Sequence, residues 1–348
     1  MVNGIVTVTG ELQDSGKTEV SSLTLYYSTG SNTLPGPSNY QGYKECTLDE
    51  NGKSFSVPLK LMGGLKYYVR VYAKNGSGTA SCDETQSFTT PPMFVNKKEF
   101  IGSGRQDFMT FSTDSWAFVL GGLVGGDYTN NLYGYTPDGG EGIWAPLASH
   151  SSNIYGGSVC SDGNSVYVIG GKSNSGFITD VDSYSYNQWY PHSNMKLSGD
   201  MVGIMNALSF VHNDSIIVLG GEKAIVGDDR GVTVQDTIYR WNGESWKGIT
   251  DFPQLIKSGV ALTTGDSVFV GLGYFSKDSI KSYTNRELWL NSSGDWSEWK
   301  SLKKAPDGMG VVSTGVIKDS CLYFIDNKGI IWMYNMDDDK WFKCSKSP

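Results

Sequence analysis

Metal, nucleophilic and redox chemistry depends mostly on histidine, cysteine and acidic side chains, and the first two are sparse in this sequence. The three histidines, His150, His192 and His212, each lie in a polar stretch (ASHSS, YPHSN and VHND) that is typical of a surface turn. The five cysteines are Cys46, Cys82, Cys160, Cys321 and Cys344. None belongs to a CxxC motif or has a histidine nearby in sequence, so we predict no bound metal and no other cofactor.

Two disulfide pairings stay open from the sequence. Cys46 and Cys82 could bridge neighbouring strands of a first domain if the compartment oxidises thiols. Cys321 and Cys344 could do the same near the C-terminus, which would leave Cys160 over. Five unpaired and mostly buried thiols are the equal alternative.

Catalytic motifs are missing from the sequence. No GxSxG elbow, P-loop or HExxH occurs, so nucleophilic, phosphate and zinc-protease chemistry have no support. Asp228 with Asp229, and the run Asp337 to Asp339, carry oxygen ligands that calcium accepts. Neither has the alternating Asp/Asn spacing of a dedicated site, so we predict solvated loops there.

Charge and hydropathy exclude two classes of partner. The formal net charge of −8 repels phosphate backbones, so we predict no nucleic-acid binding. No run of about 18 apolar residues occurs, so nothing predicts a membrane span. The start, MVNGIVTVTG, already reads as a strand. We expect that an export signal and a first strand preceded it. The protein would then be extracytoplasmic, at the cell surface or in the periplasm, with a lipid anchor in the precursor.

Composition and local pattern predict an all-β chain. With Gly 44, Tyr 20, Trp 10 and only 18% charged residues, the chain is rich in glycine and aromatic residues, which are poor helix formers. No sustained helical stripe of apolar residues occurs, whereas short apolar runs recur throughout. A length of 348 residues suits two domains.

Residues 1–91 carry the strand pattern of a β-sandwich. The strands IVTVTGEL, SLTLYYSTG, SFSVPLKL, LKYYVRVYAKN and ETQSFTT are separated by Gly, Ser, Asn and Pro turns. Leu61 ahead of Tyr67 has the spacing of a tyrosine corner, whose hydroxyl bonds back to nearby backbone. This stretch resembles fibronectin type III domains, and with its ending SFTTPP it looks like the modules of surface lipoproteins of gut Bacteroidetes. It departs from them in lacking a second-strand tryptophan and a clear first strand.

An internal repeat of about 50 residues, the period of a propeller blade, follows the Pro91–Pro92 linker. Its core is a polar turn and then an apolar strand that ends in small residues: STDSWAFVLGG, DGNSVYVIGG, NDSIIVLGG, TGDSVFVGLG and KDSCLYFID. The first three copies end in glycine pairs, Gly121–Gly122, Gly170–Gly171 and Gly220–Gly221, whereas the fourth keeps Gly273 and the fifth has Ile325 and Asp326. The tryptophans that close the copies are Trp144, Trp189, Trp246, Trp299 and Trp341.

Paired glycine, then an aromatic residue, then tryptophan resembles the kelch repeat, from Gly104 to the C-terminus. The resemblance implies a kelch-type β-propeller over residues 93–348. Five copies predict five blades, with six as the alternative if the segment FVNKKEF joins a blade. The glycines would let backbones crowd near the narrow channel. We expect the five tryptophans on outer strands, packed against the next blade.

The loops between the second and third strands of the repeats are long and unequal: LVGGDYTNN, KSNSGFITD, EKAIVGDDRGVTVQD and YFSKDSIKSYTNR. They would emerge on the same face as the loops between blades, and recognition residues concentrate in such loops. The third and fourth loops mix charged with aromatic side chains. We predict a ligand site made of Arg230, Tyr274, Phe275, Tyr283 and Arg286.

These features favour a non-catalytic extracytoplasmic binding protein, a monomer whose propeller loop face recognises a glycan or a surface protein. A carbohydrate-active enzyme is the alternative, because kelch propellers of similar size include a sialic-acid epimerase. Whether any catalysis occurs stays open, and no catalytic residue is assigned. The copper chemistry of propellers that resemble galactose oxidase has no support in the sequence around the histidines and Cys160. A structural spacer is the third interpretation.

Overall fold

The computed structural model describes residues 5–15, 18–30, 32–91, 96–113, 115–138, 140–225, 228–277, 281–318 and 320–346, with the backbone alone at residues 200, 228–230, 313, 345 and 346. The chain divides into two compact units, residues 1–95 (unit 1) and residues 96–347 (unit 2). The regular structure of the described residues is β-strand, apart from two short 3₁₀ turns at Ser193–Met195 and Gly199–Met201. The prediction of an all-β fold is confirmed.

Two sheets form the described part of unit 1. Its strands are β1 (Ile5–Glu11), β2 (Val20–Thr29), β3 (Gly42–Glu45), β4 (Ser54–Lys60), β5 (Lys66–Asn75), β6 (Gly78–Ser81) and β7 (Gln86–Thr89). Strand β1 pairs antiparallel with β4. In the second sheet β2 lies between β3 and β5, and the far edge of β5 carries β6 and β7.

The inner faces of these strands build the core of unit 1. Along β4, Phe55, Val57 and Leu59 are buried and alternate with less buried residues, which is the period of a strand with one covered face. Tyr67 of β5 is 2% exposed, and its hydroxyl accepts a hydrogen bond from Met62 N–H at 3.0 Å. The tyrosine-corner spacing predicted this contact with nearby backbone. The similarity of unit 1 to fibronectin type III domains stays a prediction.

Unit 2 consists of five four-stranded antiparallel sheets, which follow one another along the chain, and of smaller sheets between their strands. Its strands are β8 (Met109–Ser112), β9 (Ala117–Leu120), β10 (Leu123–Val124), β11 (Asp127–Tyr128), β12 (Leu132–Thr136), β13 (Ile143–Leu147), β14 (Ser158–Ser161), β15 (Val166–Ile169), β16 (Lys172–Ser173), β17 (Gly176–Phe177), β18 (Val181–Ser185), β19 (Gln188–Pro191), β20 (Leu208–His212), β21 (Ser215–Leu219), β22 (Glu222–Ile225), β23 (Asp228–Val234), β24 (Thr237–Trp241), β25 (Trp246–Asp251), β26 (Leu255–Lys257), β27 (Val260–Thr264), β28 (Ser267–Gly271), β29 (Tyr274–Ser276), β30 (Ser282–Thr284), β31 (Leu288–Asn291), β32 (Lys300–Ser301), β33 (Val312–Lys318), β34 (Cys321–Asp326), β35 (Ile330–Asn335) and β36 (Lys340–Lys346).

The five sheets have the same strand order. They run β8-β9-β12-β13, β14-β15-β18-β19, β20-β21-β24-β25, β27-β28-β31-β32 and β33-β34-β35-β36. The first strands of successive sheets lie side by side and are therefore the inner strands. Buried residues connect each sheet to the next: Leu120 and Val168 share one core, and Leu219 and Val268 share another. This arrangement is consistent with a kelch-type β-propeller, and the number of blades stays a prediction.

The paired glycines let one sheet approach the next at backbone distance. Gly170 ends the second strand of its sheet with φ 62°, and a Cβ there would lie 2.6 Å from the carbonyl oxygen of Ile204. The N–H of the neighbouring Gly171 donates to the same Ile204 oxygen at 2.9 Å. Gly121 and Gly220 repeat this geometry, with Cβ positions 2.3 and 2.4 Å from the next isoleucine carbonyl. The pair is therefore an inter-sheet contact that any side chain would obstruct.

Four of the five tryptophans that close the repeats connect a sheet to the segment that enters it by an indole hydrogen bond. Trp299 instead donates to the carbonyl oxygen of Trp296 in its own repeat, at 2.8 Å. Trp189 of β19 donates from its indole N–H to the carbonyl oxygen of Ala148 at 2.8 Å, and Ala148 lies just after β13 of the preceding sheet. The same bond joins Trp144 to Lys98, Trp246 to Met195, and Trp341 to Lys303. The prediction that they pack against the next blade is wrong, because the entering segment runs past the outer strand of its own sheet.

The cysteines are free thiols, and the strand order excludes both pairings considered above. Cys46 follows β3 and Cys82 follows β6, and two strands lie between β3 and β6. Cys321 of β34 and Cys344 of β36 are separated by β35. Since neighbouring strands are about 4.8 Å apart, both pairs exceed the roughly 7 Å between Cα atoms that a disulfide spans.

His150 lies at a connection between two sheets of unit 2 and not in a simple surface turn, whereas His192 and His212 are half-buried at the ends of β19 and β20. His150 is 3% exposed, and its Nε2 lies 2.8 Å from Asp182 Oδ2 in the next sheet. Its ring also meets Trp189 edge-on at 4.7 Å. The surface prediction for His150 is wrong because its partners come from a different repeat, which the local sequence does not show.

Candidate functional site

The long loops predicted between second and third strands are β-hairpins in four of the five sheets. The hairpins are β10/β11, β16/β17, β22/β23 and β29/β30. Each leaves its sheet where the second strand ends and the third begins, so all four stand at the same end of unit 2. We call this end the hairpin face. Residues that enter the inner strands pair with these hairpins: Gln106 with Leu123, Tyr155 with Lys172, Met205 with Glu222, and Ile256 with Phe275.

Equivalent residues at the start of the inner strands have left-handed backbones. The φ angles are 50° at Asp107, 63° at Gly156, 54° at Asn206 and 49° at Ser258. Asn206 N–H donates to Gly156 O at 2.7 Å, and Ser258 N–H donates to Asn206 O at 2.9 Å. Left-handed backbones cost free energy at non-glycine residues and often occur at binding sites. A chain of backbone hydrogen bonds thus links three sheets at the inner rim of the hairpin face.

A buried polar group, the central cluster, lies beside this rim and consists of Asn206, Glu222 and Lys257. The Glu222 carboxylate accepts from the Asn206 amide at 2.8 Å and from the Lys257 ammonium at 2.5 Å. The side chains of Glu222 and Lys257 are only 10% and 18% exposed. Because the two charges pair, the cluster holds buried hydrogen-bonding groups without an uncompensated charge.

Two stacked tyrosines stand next to the central cluster. The rings of Tyr128 and Tyr155 are 4.6 Å apart with 25° between their planes. Burial raises the pKa of Tyr155 above its ordinary value, and the hydrogen bond with Tyr128 and the charges of Asp107 and Glu222 raise it further. Tyr155 therefore keeps its proton near neutral pH and can donate a hydrogen bond.

An apolar patch, which we call the hairpin patch, joins the second and third hairpins and consists of Phe177, Val202 and Ile225. A Cβ on Gly203 would lie 2.6 Å from Ala224 Cβ and 3.4 Å from the Phe177 ring, so these segments touch. Val202 is 46% exposed and Ile225 is 45% exposed. Val202 and Ile225 directly neighbour Gly203 and Ala224 in sequence, and exposed aliphatic side chains on segments that touch are typical of interaction surfaces.

The structure brings together two of the three aromatic residues predicted for the ligand site. Phe275 and Tyr283 face each other across the fourth hairpin with ring centroids 5.5 Å apart, and Tyr283 is 41% exposed. The Lys277 ammonium lies 5.8 Å from the Tyr283 centroid. Tyr274 directly precedes Phe275 in β29, and successive side chains of a strand point to opposite faces, so Tyr274 points to the other side of the hairpin.

The structure describes the side chain of only one of the two predicted arginines. Arg286 follows the fourth hairpin, and its guanidinium forms an ion pair with Asp307. Arg230 lies in β23, and its side chain lies outside the part of the chain that the structure describes, as do those of Asp228 and Asp229.

Sequence reasoning missed the residues of the central cluster and the tyrosine pair. A usable signal exists in the repeat itself: Glu222 directly follows the glycine pair Gly220–Gly221, and Tyr155, Asn206 and Lys257 precede inner strands. Alignment of the copies on these positions would have selected them. Their contacts join different repeats, however, and no local pattern encodes such contacts.

No group of three or more His, Cys, Asp or Glu side chains among the described residues is placed to hold a metal ion. In the same residues no helix is long and apolar enough to cross a membrane.

Comparison with known proteins bears on the repeat of unit 2. No family model matches the chain. The chain is 28% identical over 169 residues to Kelch-like protein 41b of Danio rerio, a stretch that covers 48% of this chain and 26% of that protein. The repeat is kelch-like. The chain spans about a quarter of the relative's length, and the resemblance to fibronectin type III domains and to surface lipoproteins stays a prediction.

Proposed function

We propose that the chain is a non-catalytic binding protein and that a protein partner docks on the hairpin face of unit 2. The hairpin patch carries this proposal: Val202 and Ile225 are half exposed, and Ile225 lies on the same strand, β22, as Glu222 of the buried, charge-compensated Glu222–Lys257 pair. Protein interfaces combine an apolar centre with a rim of satisfied polar groups. The similarity to a kelch-like protein supports a propeller that works by interaction.

The chemistry of the neighbouring residues supports recognition rather than catalysis. Tyr155 has a raised pKa and therefore keeps its proton, and the Lys257 ammonium is occupied by the Glu222 carboxylate. A general base or a nucleophile must instead be deprotonated, or lose its proton easily, near neutral pH. These side chains suit hydrogen bonds to a partner's backbone.

A glycan is the second candidate ligand, and the fourth hairpin favours it. Tyr283 is 41% exposed, Phe275 supports its ring, and the Lys277 ammonium lies beside it. A sugar face could stack on such a ring, with Tyr274, Arg230 and Arg286 nearby in sequence as polar contacts. The glycan proposal also implies a location outside the cytoplasm, and fractionation of the producing cell tests that location.

The experiment probes peptide and glycan arrays with the full chain and with the double variant Val202→Asp/Ile225→Asp. We expect peptide hits that weaken at least about tenfold in this variant, because charges replace the apolar centre of the interface. The matched control is Ile143→Asp, since Ile143 is 57% exposed at the opposite end of its sheet and should bind as the wild type does.

Two results would change the proposal. Peptide hits that are as strong in the double variant as in the control would place the protein site elsewhere. Glycan hits that Tyr283→Ala abolishes would favour the second candidate, provided that Tyr186→Ala does not abolish them. Tyr186 is 94% exposed at the end of the sheet away from the hairpins and serves as the matched tyrosine control.

A further inference from the structure

The second sheet of unit 1, which does not include β1, has an outer face that takes no part in the core. In β2 and β5 the residues Leu23, Leu25 and Val69 point into the core and are buried. Because successive side chains of a strand point to opposite faces, the residues between them point outward. The outward residues include tyrosines from β2, β3 and β5, which are Tyr26, Tyr43, Tyr68 and Tyr72.

The loop between β2 and β3 adds a fifth tyrosine to this surface. Within the loop, Gly36 and Asn39 exchange backbone hydrogen bonds of 3.1 and 3.0 Å. A Cβ on Gly36 would lie 2.6 Å from the Tyr72 hydroxyl, so the loop lies directly on the sheet. It places the Tyr40 ring centroid 5.1 Å from that of Tyr26. We call the surface made of Tyr26, Tyr40, Tyr43, Tyr68 and Tyr72 the tyrosine face.

The rings of the tyrosine face hold one another in place. The Tyr26 centroid lies 6.0 Å from that of Tyr43 and 5.5 Å from that of Tyr72. Tyr40 meets Tyr43 edge-on at 5.5 Å, yet the two residues are 43% and 54% exposed. A side chain that its neighbours already hold loses little conformational freedom when a ligand binds. The cluster is therefore a pre-formed aromatic surface that is open to a ligand.

Positive charges alternate with tyrosines along β5. The outward residues of this strand are, in order, Lys66, Tyr68, Arg70, Tyr72 and Lys74. The Lys66 ammonium lies 5.3 Å from the Tyr68 centroid, and the Arg70 guanidinium lies 5.8 Å from the Tyr72 centroid. A ligand on this face therefore meets rings and cations side by side.

The charge of the tyrosine face is opposite to that of the whole chain, whose formal net charge is −8. Among the described strand residues that point outward from this sheet, Glu45 is the one carboxylate beside the three cations of β5. Arg70 donates to the Cys82 carbonyl oxygen at 3.1 and 3.2 Å, which orients its guanidinium, and the group has further N–H donors for an anion. This local excess of positive charge favours an anionic ligand.

Rings and cations together favour a sugar acid over other anions. The C–H face of a pyranose packs on an aromatic ring, and its hydroxyl groups can bond to tyrosine hydroxyls. A carboxylate on the same sugar can pair with a lysine or arginine beside the ring. Nucleic acid, by contrast, draws its affinity from many neutralised phosphates, and this face supplies three cations on an acidic chain.

We infer that the tyrosine face binds a polysaccharide of uronic acids. Its sugar rings stack on Tyr40 and Tyr43, and its carboxylates pair with the cations of β5. This site lies in unit 1 and is separate from both candidate sites of unit 2, the hairpin patch and the aromatic pair of the fourth hairpin. Variants of either unit 2 site therefore leave it unchanged.

The test measures binding of fluorescent oligomers of galacturonate, glucuronate and mannuronate to the full chain. Their methyl esters are the matched control probes, because each ester keeps the sugar ring and loses the charge. We expect at least one acid oligomer to bind and its ester to bind about tenfold or more weakly, since a charge-assisted hydrogen bond is lost. Absence of binding by all three acids, or equal binding of acid and ester, would overturn the proposal.

Tyrosine variants locate the site. Tyr40→Ala/Tyr43→Ala removes the two exposed rings without touching the core of unit 1, and it should weaken binding of the acid oligomer about tenfold or more. Tyr190→Ala is the matched control, because Tyr190 is 41% exposed on β19 of unit 2 and belongs to none of the candidate sites. Wild-type hydrogen exchange in β2 and β5 shows that unit 1 of the double variant is folded. Undiminished binding by the double variant would overturn the proposal, and loss of binding in Tyr283→Ala alone would place the glycan on the fourth hairpin instead.

Lysine variants test the charge and leave the rings in place. Lys66→Gln/Lys74→Gln should weaken binding of the acid oligomer about threefold to tenfold and leave binding of its ester unchanged. Lys44→Gln/Lys53→Gln removes the same charge from unit 1 and should bind as the wild type does, because Lys44 pairs with the core residue Leu25 and so points away from the tyrosine face. Equal effects of the two lysine pairs would contradict the proposal. Tighter binding of a fluorescent oligodeoxythymidine than of any acid oligomer would also overturn it, because nucleic acid would then be the occupant.

Discussion

Replacement of Gly170 by alanine should destabilise unit 2 through contact with the next sheet. Two costs contribute. A left-handed backbone costs a non-glycine residue about 1 to 2 kcal/mol. The new Cβ would also lie 2.6 Å from the Ile204 carbonyl oxygen, and relief of such overpacking costs about 1 to 3 kcal/mol more. The total loss of unfolding free energy is therefore about 2 to 5 kcal/mol.

Gly125 provides a matched control for this substitution. Its φ is 62°, the same as that of Gly170, but a Cβ there would meet nothing within 4 Å. Gly125→Ala should therefore pay only the backbone cost of about 1 to 2 kcal/mol. The effect of alanine on the unfolded chain is similar in both variants and cancels in the comparison.

Urea unfolding followed by tryptophan fluorescence measures the difference. All 10 tryptophans lie in unit 2, between Trp116 and Trp341, so the signal reports this unit alone. We expect Gly170→Ala to be about 1 to 3 kcal/mol less stable than Gly125→Ala. Equal losses in the two variants would refute the view that the glycine pair exists to admit the carbonyl of the next sheet.

Two further predictions concern the fifth and second sheets. Asp326 is 3% exposed and accepts hydrogen bonds from backbone N–H groups, including Gly310, and from the Trp332 indole; although burial opposes this, these bonds lower its pKa. The Asp326 carboxylate therefore stabilises the folded chain above its unfolded pKa of about 3.9, and this stabilisation is lost as the pH falls through the lower folded pKa. Asp326→Asn should cost about 2 to 3 kcal/mol of unfolding free energy at pH 7 and less at pH 3, as measured by urea titration. Trp189→Phe should keep the ring contacts, lose the bond to Ala148 and cost about 1 kcal/mol in thermal unfolding, and a variant as stable as the wild type would contradict this role.

The sequence predicted the features of the fold that repeat locally. Glycine pairs, apolar strands and closing tryptophans recur with a fixed period, and the structure places them at equivalent positions in successive sheets. The tyrosine corner at Tyr67 also follows from short-range spacing. Such patterns can be recognised in the sequence because each repeat packs against its neighbours in the same way and with the same residue types.

Contacts between repeats were not predictable in this way. The buried pair His150–Asp182 joins residues of successive sheets, and the Glu222–Lys257 pair joins the third sheet to the entry of the fourth. In both cases a polar residue in a loop-like sequence becomes buried by a neighbour far along the chain. The direction in which Trp189 packs is set in the same way, by a segment that arrives from the preceding sheet.

Hydrogen exchange of the full chain, saturated by its strongest peptide from the array, locates the binding surface on unit 2. We predict slower exchange in β16, β17, β22, β23 and residues 199–203, which surround the hairpin patch. The turns at residues 162–165 and 213–214, at the opposite end of the sheets, should exchange as in the free protein. Protection confined to those opposite turns would contradict the proposal that the hairpin face is the recognition surface.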